Sequence, residues 1–194
     1  MKKLSIITLG ILISMNAFAQ HDHGNSGHAN QANKMKDSET MGFKVPVEFT
    51  NQLNGVFKAS LNMTESFASD NSEDAQKQAG NVISVLAKVN MELLTDSEAM
   101  MDWMMNLKDM NTALNTISAS SDIKVQRASF DAFNQAMFKS LKSYGAAGDK
   151  VYYQHCPMAN DKKGAHWLST SKDISNPYFG GMMKSCGSTK ETLQ

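Results

Sequence analysis

Between residues 29 and 154 the chain has neither histidine nor cysteine, and between Val47 and His155 it has no proline. The first absence removes several chemistries from the long middle of the molecule. A di-iron bundle needs inward Glu-x-x-His pairs, and covalent haem needs C-x-x-C-H. A Ser-His-Asp triad would have to take its histidine from an end, with no nucleophile-elbow motif to support it. An enzyme is therefore not expected. The second absence leaves that same stretch free of the residue that most strongly breaks helices. Charge of either sign is not in excess, with 19 basic and 19 acidic residues. A nucleic-acid partner needs a concentrated basic face, so none is expected.

Long apolar runs are lacking as well. The longest, Leu4 to Met15, is far short of the roughly 20 residues of a bilayer span. It follows Lys2 and Lys3 and precedes Ala17-Phe18-Ala19, the layout of a secretory signal. Residues 1–19 are expected to be that signal, cleaved after Ala19, and the mature chain is expected to be periplasmic and not membrane-spanning. No cysteine follows the cleavage point, so no lipid anchor is expected there. The remaining 194 − 19 = 175 residues suffice for one domain with a real core.

Residues 20–45 read as a disordered His-rich arm, polar and poor in apolar residues. Its His21, Asp22, His23 and His28 offer a weak Cu(II) or Ni(II) site beside a free amine. Residues 46–194 read as a single helical-bundle domain. Four stretches place apolar residues three or four apart. The first contains Phe49, Leu53, Val56, Phe57, Leu61 and Phe67. The second contains Ala75, Ala79, Val82, Ile83, Leu86, Val89 and Leu93, with Ser72 as its cap. The third follows Thr95-Asp96-Ser97 and carries Met100, Trp103, Met104, Leu107, Leu114 and Ile117. The fourth follows Ser120-Ser121-Asp122, carries Phe130, Phe133, Met137, Leu141 and Tyr144, and closes at Gly145. Helices of this length joined by short polar turns predict an all-α, up-down four-helix bundle. Residues 151–187, rich in glycine, proline and aromatics, are expected to pack on it as an irregular motif segment, with a last helical turn near 179–185.

The chemistry-bearing residues gather in that segment. His155, Cys156 and Met158 fall within four positions, His166 follows, and Met182, Met183 and Cys186 come from a second loop. Thiolate and thioether sulfur suit Cu(I) or Ag(I), and imidazole also suits copper and zinc. Pro157 pushes Cys156 toward an extended conformation. Two cysteines in an exported protein also form disulfides, so a purely structural bridge and a metal site both stay open; without C-x-x-C, redox catalysis is disfavoured. Met100, Met101, Met104 and Met105 lie on one broad helix face beside Trp103, and flexible thioethers fill irregular cores. They are expected to pack, with metal contact as the lesser alternative.

The strings H-C-P-M-A-N-x-x-x-G-A-x-W-L-S and I-x-N-P-Y-F-G-x-x-M-x-x-C-G resemble an uncharacterised family of exported domains. That family also forms the C-terminal extension of periplasmic adaptor subunits of copper/silver-type heavy-metal efflux systems. The resemblance covers about Phe49 to Gly187, with its specific part at Cys156 to Gly187. It implies a helical bundle with a motif tail, copper or silver handling, and an efflux adaptor as partner. The expected metal ligands are Cys156, Met158, Met183 and Cys186, with His155 or His166 optional. The expected ion is Cu(I), with silver or zinc as alternatives. The other reading is a disulfide-stapled interaction module with no metal role.

Overall fold

The computed structural model describes residues 42–194; the expected signal segment and nearly all of the His-rich arm lie outside them. Four helices come first: α1 Val47–Ala68, α2 Ser72–Leu86, α3 Ser97–Ala119 and α4 Ile123–Tyr144. Their starts follow local chemistry. The side chains of Asn71, Asp96 and Asp122 accept the amides of Asp74, Ala99 and Lys124, which satisfies donors that a helix N-terminus leaves free. At its far end α4 stops at Gly145, whose positive φ of 95° a side chain would strain.

Consecutive helices pack side by side and α4 closes back on α1, the up-down arrangement that the periodicity predicts. Phe49, Phe57, Phe67, Trp103, Phe130 and Phe133 lie fully buried along the axis. Phe49 meets Trp103 edge-on with centroids 5.2 Å apart, a favoured aromatic geometry. Each such side chain contributes roughly 1.5–3 kcal/mol through burial.

Asn71, not Ser72, caps α2, and two further expectations need correction. The second helix ends at Leu86, short of Val89 and Leu93. Asn90 there accepts the Glu92 amide through its side chain and donates its own amide to Gln52 Oε1 at 2.7 Å. These bonds start a separate 3-10 turn, Met91–Leu93. An asparagine that competes for backbone groups is a helix breaker of this kind.

The larger correction concerns the tail: the chain is not purely all-α. Strands β1 Val151–Cys156, β2 Ala165–Ser169 and β3 Ser188–Leu193 form an antiparallel sheet in the order β2-β1-β3. Its alternation is hidden in the sequence. The register slips between Tyr153, opposite Glu191, and Gln154, opposite Thr189, so Lys190 is an extra residue that breaks the period of two. β3 is polar except at Leu193 and contributes no fully buried residue.

Helix α4 covers the edge of the sheet. Asp131 Oδ1 accepts the amide of His166 at 2.8 Å, and Asn134 Oδ1 accepts that of Leu168 at 3.0 Å. Side chains three apart on a helix lie on one face and match amides two apart on a strand. The outer rim of β2 is thereby closed to further pairing.

Candidate functional site

Cys156 is the last residue of β1 and is fully buried. Cys186 sits in the turn before β3, where its amide donates to Met183 C=O at 3.0 Å. Asn176, also buried, holds that loop shut. Its Nδ2 donates to Cys186 C=O at 2.8 Å, its own amide donates to Lys184 C=O, and its Oδ1 accepts the Tyr178 amide. Gly187 follows with φ of 145°, and a Cβ there would lie 2.7 Å from Trp167 Cη2. Only glycine lets the chain pass so close to the indole. The outcome is that the two sulfurs stand 2.8 Å apart. The Cys186 thiol is pushed above its ordinary pKa by its hydrogen bond with Cys156, and further by burial and the electrostatic effect of Cys156.

The thioethers lie elsewhere. Met158, Met182 and Met183 are exposed and border a groove of about 780 Å³ whose lining also includes Arg127, Lys162 and Phe179. Neither cysteine lines this groove. Its rim is a left-handed turn in which Asn160, Asp161 and Lys162 all have positive φ, closed by Gly164 at 84°. Asparagine and aspartate tolerate that region; lysine does so less readily.

The histidines form a third group. His155 and His166 are cross-strand partners, and the His166 amide points out to Asp131, so theirs is a non-hydrogen-bonded pair with close side chains. Their ring centroids are 4.4 Å apart. Tyr153 stacks on His166 at 4.8 Å and Phe138 on Tyr153 at 3.8 Å, which makes a ladder of four rings. Both Nδ1 atoms are buried without a hydrogen-bond partner; His166 Nδ1 is 3.4 Å from Asp131 Oδ1, which also accepts the His166 amide. Burial holds His155 below the ordinary histidine pKa, helped by the charges of His166 and Lys190 against the opposing pull of Asp131. Burial pushes the Tyr153 phenol up to about 12. Successive strand residues face opposite ways, so the His155 ring lies on the face away from the Cys156 thiol.

Of the six expected ligands, the structure thus joins Cys156 to Cys186, sets Met158 and Met183 on a common groove, and pairs His155 with His166. Among the described residues, no group of three or more His, Cys, Asp or Glu side chains could hold a metal ion; methionine falls outside that set. The four methionines of α3 are a correction. Met101, Met104 and Met105 are exposed and only Met100 packs partly against the core, because the buried stripe runs through Ala99, Trp103, Asn106 and Met110.

Sequence reasoning missed Arg127. Its Nε donates to Pro177 C=O and its Nη2 to Phe67 C=O, both at 2.7 Å, and to Asp70 Oδ1 at 2.6 Å. Asp70 Oδ2 in turn accepts the Gly181 amide. One side chain therefore ties α4 to the end of α1 and to the loop that carries Met182 and Met183. The signal was available: Arg127 is the sole arginine among 18 lysines, and its fork suits several acceptors at once.

The architecture defines a four-helix bundle with a small antiparallel sheet appended at its C-terminal end, and among the described residues no helix is long and apolar enough to cross a membrane. Residues 56–149 match the model of a family described as "Protein of unknown function (DUF3347)", a likeness to an uncharacterised domain that covers just under half of the chain. The match spans most of the bundle and stops short of the segment with the two cysteines. No curated protein and no solved structure matches the chain.

Proposed function

We propose that the protein is an exported, periplasmic soft-metal binding protein that holds Cu(I) and buffers it or passes it to an efflux adaptor. The supporting observation is the thiol pair. Two sulfurs from positions 30 residues apart meet at 2.8 Å, while Met158 and Met183 stand on a groove that neither cysteine lines. Two thiolates sharing one ion at about 2.3 Å in tetrahedral geometry stand about 3.8 Å apart, so loading parts the pair by about 1 Å. The bound form is thiolate, and the raised pKa of Cys186 makes proton release part of uptake. Affinity therefore rises with pH. Transfer to a partner proceeds by exchange of one sulfur donor for another and needs no enzymatic step. Silver would occupy the same donors; zinc would need more of the imidazole or carboxylate set.

Competition of the reduced protein with a chromogenic Cu(I) chelator tests this reading. A tight equivalent is expected, and it is expected to vanish in the Cys156→Ser, Cys186→Ser variant. Unchanged affinity in that variant removes the site.

The same 2.8 Å separation favours a second reading, a disulfide-stapled module that docks on a partner protein. A bridge closing this loop would contribute about 3 to 4 kcal/mol in the chain-entropy model. Thiol counting on freshly isolated protein separates the two. A fully oxidised pair with no metal supports the staple; two free thiols with bound metal support the first reading.

A further inference from the structure

Among the described residues, the large apolar side chains left exposed are Val47, Met101, Met104, Met105, Val125, Met158, Met182 and Met183. Six of these eight are methionine, and none is Leu, Ile, Phe, Tyr or Trp. Three border the groove that neither cysteine lines. The other three stand on α3, where the function proposed above does not use them.

A face meant only for hydrophobic docking would be served equally well by leucine, which has similar burial energy and helix propensity. What methionine adds is thioether sulfur, a soft donor that keeps no proton. The spacing suits one ion. Met101 and Met105 are one turn apart, Met104 is three positions from Met101, and such neighbours have Cβ atoms about 5–6 Å apart. Three rotatable bonds let each thioether swing toward a common point. The backbone beneath does not give way, because Trp103 is buried between Phe49 and Tyr144, with centroids 5.2 and 6.1 Å away. Of the nearby charges, Asp102 is engaged by Asn106 and Tyr144, while exposed Glu98, Lys108 and Asp109 flank the three thioethers.

We propose that Met101, Met104 and Met105 form a second soft-cation site, a neutral three-thioether patch that takes Ag(I) or Cu(I) and rejects harder divalent ions. It loads without releasing a proton, unlike the thiol pair, and so keeps its affinity as pH falls. The site stands independently of the cysteines.

Silver nitrate titration of the full chain, with methionine ε-methyl groups labelled with carbon-13, tests it position by position. The methyl resonances of Met101, Met104 and Met105 are expected to move together and saturate at a single ion, with affinities within about twofold at about pH 5.5 and about pH 7.5. In M101L/M104L/M105L, all three exposed, the circular dichroism and Tm are expected to match the parent. That variant is expected to lose one bound ion, or about tenfold or more in affinity for it. Zinc chloride is expected to leave the three methyls unmoved. The proposal is overturned if those resonances stay still while Met158, Met182 and Met183 respond, or if the triple-leucine variant binds as many silver ions as the parent. Failure of the cysteine site would show separately, in a second sample with carbon-13 at the cysteine β-carbons, as unmoved Cys156 and Cys186 resonances.

Discussion

Replacing Arg127 by methionine keeps the apolar stem and removes the guanidinium, which is the severest single test of how the tail is held to the bundle. Two backbone carbonyls, Phe67 and Pro177, lose donors at 2.7 Å. Hydrogen bonds from a charged group are worth about 1.5–3 kcal/mol each when the acceptor stays buried. The Asp70 contact adds less than about 1 kcal/mol, because that carboxylate is half exposed and screened. Arg127 borders the groove, so water can reach part of what it vacates, which brings the expected loss to about 2–4 kcal/mol. For a domain of this size that is a fall in Tm of about 5–15 °C. Urea unfolding followed by tryptophan fluorescence measures it, with Asp70→Asn alongside. Arg127→Met is expected to cost at least twice as much as Asp70→Asn. A loss below about 0.5 kcal/mol would refute the view that this side chain fastens the loop of Met182 and Met183. The pair also has a pH signature. Asp70 is held below the ordinary carboxylate range chiefly by its bond to Arg127. A carboxyl depressed on folding contributes stability above its unfolded pKa of about 4 and loses it as pH falls through the folded value. The acid limb of the stability curve should therefore flatten in Arg127→Met.

Three further predictions concern the tail. His155 has its pKa depressed by burial and by His166, so the unfolded chain binds the proton first, and stability should fall as pH drops below about 6.5. In His166→Phe, imidazole nitrogen-15 spectra should show His155 titrating at higher pH; no movement would remove the coupling. In Cys156→Ala, Cys186 loses the bond that raises its pKa, so iodoacetamide should alkylate it faster at neutral pH than in the reduced parent. Gly164→Ala puts a methyl onto the His155 imidazole at a φ of 84°. It should cost about 1–3 kcal/mol and displace the His155 ring resonances, whereas Gly148→Ala, also at positive φ but with open space around it, should leave them in place.

The bundle was legible because its signal is periodic. Phe49, Leu53, Val56 and Phe57, or Phe130, Phe133, Met137 and Leu141, recur at helical spacing and are buried where that spacing puts them. The caps Asp96 and Asp122 and the stop at Gly145 were equally plain. The sheet was not, because its strands are five or six residues long, one pairing carries a bulge at Lys190, and β3 buries nothing fully. Its stability comes from partners distant in sequence, Asp131 and Asn134 on α4. Within the candidate site, the meeting of Cys156 with Cys186 follows from two loops whose ends β1 and β3 bring together. The separation of the thioethers from the thiols depends on side-chain direction at Met158 and Met183, which spacing alone does not set. The α3 methionines depart from expectation for a simpler reason: a helix that already buries Trp103 leaves room at the edge of the core for Met100 and none for Met101, Met104 and Met105.

X-ray absorption at the copper edge of the reduced, Cu(I)-loaded protein tests the central claim most directly. A coordination shell made of two or more sulfurs, lost when Cys156 and Cys186 are replaced by serine, is the predicted result. A shell of nitrogen and oxygen alone, or a sulfur shell that persists without the two cysteines, would contradict it.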